Sequence, residues 1–504
     1  MLPEVTAVGG VLELELRGPA DAIPADRAPV TVLFRHAGSS VEVPGFWDGG
    51  NVYRVRFSPS VEGEWSWTSR ADAPELDGIT GSFMVRPRET TGAVGVVETY
   101  HFAHADGTPF RPAGATVYNW LHQPDEQVEA TVSAIADAGF TKLRFLVFPQ
   151  AGGHVERTPD LLPFERTEDG RWDVSRPVVA FFQRLDRAVA TLDAHGIQAD
   201  VLILNAYDSA DAFGLSELSE EEDATYLRYL VARLSAFPNV WWSLCNEFDI
   251  LPRPVERWTR LGELLASVDP HQRLRSIHQW MRFYDHNQPW ITHASIQNGA
   301  ATEEFGRASL YRDAYPKPIV LDEIKYEGDI EDRWGRLTGE ELVHRFWIAT
   351  VAGCYASHGE SFLTASGSLH IVEGGELQGT SPARLGFLRG VLDELLVAGL
   401  DPIDRWDDPA YVAGVPRVQY LQYLGRSAPA TWTFRLPQGN VGERLQVGDA
   451  FEVDVIDTWG MTVTPVGERF TLTDVQRNDA YAGGSATIDL PAGKPLALRI
   501  TRVG

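Results

Sequence analysis

Two carboxylates end apolar runs in this chain, where their hydrophobic neighbours cannot satisfy them. Glu247 follows VWWSLC (240–245) and Asn246, and Glu323 follows PIVLD (318–322). Burying an unpaired carboxylate costs enough free energy that each needs either a partner or a task. If both runs are strands of one barrel, the two glutamates lie across its mouth from each other. Carboxylates facing one another at about 5 Å are what retaining glycoside hydrolysis needs: one attacks the anomeric carbon, the other shuttles the leaving-group proton. Their closeness also makes one proton hard to remove, so the acid partner is expected to stay protonated near neutral pH.

Other chemistry-bearing residues sit at comparable places. Tyr118, Asn119 and Trp120 follow the run RPAGATV, Arg144 lies within KLRFLVF, and Asn205, Tyr207 and Asp208 follow QADVLIL. His278 and Trp280 end LRSI, His293 and Gln297 belong to WITHASIQ, Asp322 precedes Glu323, and His358 and Glu360 end CYAS. So much polarity at strand ends exceeds what a structural rim requires. Asp322 is expected to turn into barrel packing or capping. His278, His293 and His358 suit either substrate contact or buried hydrogen bonding; no closely spaced ligand pair suggests a metal, and no cofactor is expected.

The elements that must position these residues follow from periodicity. Over 1–88, short runs such as VLELEL, VTVLFRH, VYRVRF and GEWSWTSR alternate apolar and polar residues between turns, which predicts an antiparallel sandwich. RPRETTGAVG (86–95) reads as a linker. Over 98–400, eight strands alternate with helices, two of them opened by the capping boxes Ser219–Glu222 and Thr338–Glu341. That count fits a (β/α)₈ barrel, whose chemistry lies at the C-terminal strand ends, better than an open sheet. No glycine-rich dinucleotide fingerprint follows the first strand. Alternation returns over 408–504 and predicts a second, smaller sandwich. Trp241 and Trp242 read as barrel core, and Trp65, Trp67, Trp432 and Trp459 as sandwich cores. Cys245 and Cys354 read as buried core thiols.

Composition excludes several classes. At 504 residues the chain is too long for one core. A net charge of −26 disfavours nucleic acid and anionic membrane as partners. No window approaches a membrane span, and MLPEVTAVGGVLELELRG has no basic segment followed by an apolar run, so cytoplasm is the default compartment. Assembly into a homo-oligomer is left open.

The Asn-Glu pair ending strand four, with a second Glu ending strand seven, resembles the retaining glycoside hydrolases of clan A. The three-part layout is more closely similar to bacterial glycosidases with an N-terminal Ig-like domain, an apiosidase-like barrel and a small C-terminal sandwich. GFWDGGNVYRVRFSPSVEGEWSW (45–67), ADGTPFRPAGAT (105–116) and DVIDTWGMTV (454–463) carry that likeness, which spans essentially the whole chain. It implies Glu247 as general acid/base, Glu323 as nucleophile, Asn246 bonding the sugar 2-hydroxyl, and Arg144 holding Glu323 ionised and oriented. Asn119, Trp120, Tyr207, Asp208, His278, Trp280, His293, His358 and Glu360 are expected to contact the carbohydrate. One departure stands out: many clan members floor the reactive-sugar subsite with a Trp ending strand eight, where this chain has Tyr355, His358 and Glu360. Trp120 or Trp280 is the candidate replacement.

The reading is therefore a retaining, exo-acting glycosidase on a soluble glycoside. Two other readings compete with it. A carbohydrate-binding protein with a degenerate barrel is disfavoured because both glutamates are present. A polysaccharide lyase or sugar isomerase is disfavoured because the rim carries few basic residues.

Overall fold

The computed structural model describes residues 4–20, 30–150, 155, 159–206, 215, 218–297, 305–403, 411–438, 444–475 and 481–504. Eight parallel strands form its centre: β1 (Ala113–Thr116), β2 (Lys142–Leu146), β3 (Gln198–Asn205), β4 (Val240–Asn246), β5 (Leu274–Ser276), β6 (Ala294–Gln297), β7 (Ile319–Glu323) and β8 (Tyr355–His358). They are ordered β5-β4-β3-β2-β1-β8-β7-β6, and a parallel bridge from His278 to Ser295 joins the two ends into a barrel. Helices α1 (Asp125–Asp137), α2 (Val179–Ala194), α3 (Glu220–Leu234), α4 (Val255–Val268), α5 (Phe305–Ala314), α6 (Gly339–Val351) and α7 (Ser381–Asp393) surround it. The expected (β/α)₈ class is the observed one. Among the described residues no helix lies between β5 and β6; residues 277–293 connect them as a loop.

Local chemistry explains the helix starts. Ser219 and Glu222 form the expected reciprocal capping box at α3. At α6 only half of the expected box forms: Thr338 accepts from the Glu341 amide, while the Glu341 carboxylate accepts from Arg345 at 2.8 Å. β4 is buried along its whole length, so its run of Trp, Leu and Cys packs on both faces. Cys245 and Cys354 are buried free thiols.

The stretch read as a linker contributes to the barrel floor. Strands Val94–Val97, His101–His104 and Pro109–Phe110 form a small antiparallel sheet. Phe102 and Phe110 pack on Trp241, Leu274 and Val320, near the N-terminal ends of β4, β5 and β7. This closes the end opposite the mouth.

Two antiparallel-rich sheets lie on either side of the barrel in sequence. The N-terminal pair packs around Phe34, Phe57, Trp65 and Phe83. It meets the barrel through buried charge: Arg233 of α3 joins Asp48 at 2.8 Å and Asp186 at 2.7 Å, and Arg56 joins Asp186 at 2.8 Å. The C-terminal sheets pack around Phe434, Phe451 and Ile500. Leu421, Tyr423 and Ile456 from these sheets belong to the barrel's own apolar cluster. Trp459 does not fill the sandwich core as expected. It packs against the barrel cluster, with the Arg384 guanidinium 3.9 Å from its ring centroid. Among the described residues no helix is long and apolar enough to cross a membrane.

Candidate active site

The barrel interior is built on charge. Lys142 and Arg144 alternate on β2 and so share its inward face. The Lys142 ammonium sits 2.5 Å from Asp200 and 2.7 Å from Asp322, and Arg144 Nε lies 3.6 Å from Asp322. Asp322 also accepts from Ser295 at 2.5 Å and Ser357 at 2.8 Å. Burial alone would raise its pKa, but Lys142 and Arg144 outweigh that and hold the carboxyl well below its usual range. Asp322 thus belongs to the barrel's packing.

Glu323 faces a different set of groups. Tyr118 donates its O–H to Oε1 at 2.5 Å, Gln297 donates to Oε2 at 2.8 Å, and Arg144 Nη1 lies 3.5 Å from Oε1. His278 Nδ1 is 3.8 Å from the same oxygen. Burial first, and Glu323 second, raise the Tyr118 pKa well above its usual value, so the phenol remains a donor. Burial lowers His278 to about 4, so its imidazole is neutral at pH 7. Arg144 also reaches across the mouth, with Nη2 donating to Asn246 Oδ1 at 2.6 Å. One guanidinium therefore ties the end of β4 to the end of β7.

At Glu247 the backbone leaves β4 through the left-handed region, with φ at 54°. That turn breaks the alternation of the strand and re-aims the side chain. It is locked to β5 by the Cys245 carbonyl, which accepts from the His278 amide at 3.0 Å, and by the His278 carbonyl, which accepts from the Phe248 amide at 3.0 Å. Two residues on, the Asp249 carboxylate accepts the amides of Trp280, Met281 and Arg282 at 2.6, 2.9 and 2.7 Å. The fields of both Glu323 and Glu247 act on the Tyr118 phenol.

The family described as "Apiosidase-like, catalytic domain" matches residues 97–428, well over half of the chain. The chain belongs to this apiosidase-like family. Two domains of unknown function match on either side, DUF5060 over 10–72 and DUF5605 over 406–501. A crystal structure of a "putative glycoside hydrolase" from Bacteroides vulgatus ATCC 8482 is 32% identical with a TM-score of 0.93, covering 99% of this chain and 100% of that one. A glycoside hydrolase family 5 structure from the same organism is 14% identical with a TM-score of 0.57, covering 82% of this chain and 94% of that one, and shares the fold. No curated protein matches the sequence. The barrel is glycoside-hydrolase-like.

In this apiosidase-like barrel Glu323, Asn246, Arg144 and His278 come together at the mouth, Glu247 is near enough for its field to reach the Tyr118 phenol, and Trp280 lies on the adjoining loop. Several expected sugar contacts lie elsewhere. Asn119 spends its amide on both backbone groups of Gln150, at 3.0 and 2.7 Å. Trp120 is fully buried against Phe145 in the helix layer and donates to the Val128 carbonyl. It is core, and no sugar floor. His293 precedes β6 instead of ending it, and packs on Trp241 and Phe102 at the closed end. Tyr207 and Asp208 lie outside the described residues.

His358 and Glu360, expected as sugar contacts, do not face the mouth either. Ser357 points inward to Asp322, so His358, next on the strand, points outward, where it stacks on Phe140 at 4.9 Å. Glu360 is buried and accepts the amides of Gln378 and Gly379 at 2.7 and 2.9 Å. Its neighbour Glu327 accepts the amides of Thr380 and Ser381 at 2.8 and 2.9 Å. Glu327, His358 and Glu360 form the one group among the described residues whose ligand atoms lie close enough for a metal ion. Their carboxylate oxygens are, however, all engaged at or just before the N-terminus of α7, an end of the helix that favours anions. The two glutamates anchor α7 to the barrel. Tyr118 and Gln297 were visible as polar strand ends but had no role in the sequence reading. Asp249 had no signal beyond its nearness to Glu247.

Proposed function

We propose that this protein is a retaining glycoside hydrolase with Glu323 as nucleophile and Glu247 as general acid/base. The carrying observation is the unequal setting of the two carboxylates. Glu323 is gripped by Tyr118 and Gln297 beside Arg144, which fixes one carboxylate orientation for attack on an anomeric carbon. Glu247 instead sits on a left-handed turn at the strand end, next to the exposed loop that begins at Trp280. In the first step a Glu323 oxygen bonds to the anomeric carbon while the glycosidic bond breaks, and the Glu247 proton passes to the leaving oxygen. In the second, Glu247 takes a proton from water, water bonds to the anomeric carbon, and Glu323 departs as carboxylate. Arg144 fixes the Asn246 amide so that its N–H₂ end serves the sugar 2-hydroxyl.

The test separates the two glutamates. Glu323→Ala should fail even on activated glycosides. Glu247→Ala should still form the covalent intermediate from dinitrophenyl glycosides, and azide should restore turnover as a glycosyl azide of retained configuration. Inversion by the wild type, seen by NMR of the first-formed sugar, would sink the two-step mechanism. An unsaturated product would instead mark a lyase. We extend the proposal to an exo mode on short soluble oligosaccharides or glycosides. Release of single sugars from an oligosaccharide supports it, and early mid-chain fragments overturn it.

A further inference from the structure

Trp280, Met281 and Phe283 form a run of exposed apolar side chains on the loop after β5, 51%, 72% and 44% exposed, and Ile250 beside Asp249 is 41% exposed. Exposed apolar groups concentrated beside a polar site mark a contact surface. This loop is not loosely held. Asp249 takes three successive amides of it, and Phe283 leans on the ring of Tyr311 at 5.7 Å. The clamp joins the turn carrying Glu247 to the backbone carrying Trp280, so the shelf and that carboxylate move as one unit.

We infer that the Trp280–Met281–Phe283 shelf is the leaving-group subsite, and that it takes a flat ring with an apolar face. The inference rests on the proposed function. A proton donor must meet the glycosidic oxygen, so the leaving group lies on the Glu247 side of the broken bond. On that side the Asp249 clamp sets the shelf. Three apolar side chains within four residues, one of them an indole, recognise a ring by stacking and area, with exposed Arg282 between them able to meet ring hydroxyls. Either a pyranosyl ring or an aryl aglycone has that chemistry. Asp249 is a positioning residue, acting through the loop backbone.

The test compares three substrates with one glycone: a glycosyl fluoride, whose leaving group cannot reach the shelf, a disaccharide and an aryl glycoside. Trp280→Ala should lower kcat/KM for ring-bearing substrates relative to the fluoride by about tenfold. Trp280→Phe should recover most of that ratio, and Asp249→Ala should reproduce the loss with its larger part in KM. A loss confined to the disaccharide or to the aryl glycoside identifies which ring the shelf takes. Equal changes on all three substrates, or none, overturn the shelf while leaving the glycosidase reading intact. A wild type inactive on every glycosyl fluoride and glycoside overturns both.

Discussion

The phenol of Tyr118, at the end of β1, donates to Glu323 Oε1 across the barrel mouth at 2.5 Å. Both groups are buried, and the bond fixes one oxygen of the carboxylate while Gln297 holds the other. Tyr118→Phe keeps the ring and removes only this donor. A hydrogen bond to a charged group is worth about 1.5–3 kcal/mol, so kcat/KM should fall about ten- to a hundredfold. Labelling by a 2-deoxy-2-fluoro glycoside, followed by intact-mass spectrometry, should slow in parallel. Undiminished labelling would show that the Tyr118 hydrogen bond does not support Glu323 in the proposed role.

Lys142 holds two buried carboxylates, Asp200 and Asp322, apart by standing between them. Lys142→Met preserves the stem but leaves two facing acids with only the more distant Arg144. Breaking a buried ion pair in this way costs about 3–5 kcal/mol. Urea denaturation should show a loss of that size. A loss below about 1 kcal/mol would mean that the charges are screened by something other than this ammonium.

Glu360 supplies a pH signature away from the mouth. Burial, with Glu327 adding to it, raises its pKa from 4.5 to about 7 despite the two amides it accepts. Because the folded value is the higher one, the contribution is greatest below about pH 4.5 and is lost as pH rises to about 7. The shift corresponds to roughly 3 kcal/mol. The Tm of wild type relative to Glu360→Gln, whose amide mimics the protonated acid and does not titrate, should therefore fall across that window and level off above it. A difference independent of pH would show that Glu360 does not titrate there.

The C-terminal sheets are proposed to be structural. Leu421, Tyr423 and Ile456 share the barrel's core, and the Tyr423 ring stacks on Trp347 of α6 at 5.7 Å. Removing residues 408–504 should uncover that surface and produce aggregation, read by light scattering. A soluble, fully active truncation would contradict this.

The barrel was legible because its strands and helices differ in hydrophobic period, and the carboxylates at 247 and 323 were legible because they interrupt apolar runs. Orientation was not. His358 ends β8 and Glu360 lies two residues on, yet the two-residue period turns both outward, His358 onto Phe140 and Glu360 onto the start of α7. His293 looked like a strand residue at the mouth because WITHASI reads as one strand, whereas β6 begins only at Ala294. The Asp249 clamp was invisible because its partners are backbone amides, which carry no residue signature.

The left-handed backbone at Glu247 has a consequence on an evolutionary timescale. Such a conformation costs a residue with a Cβ about 1 kcal/mol, which glycine would not bear and asparagine would bear more lightly. Mutation toward either would relieve that strain in a lineage that had ceased to use the barrel mouth. Position 247 therefore works as a tell-tale. Among descendants of this gene, the residue it holds should separate chains still under selection for chemistry from those drifting toward mere foldedness.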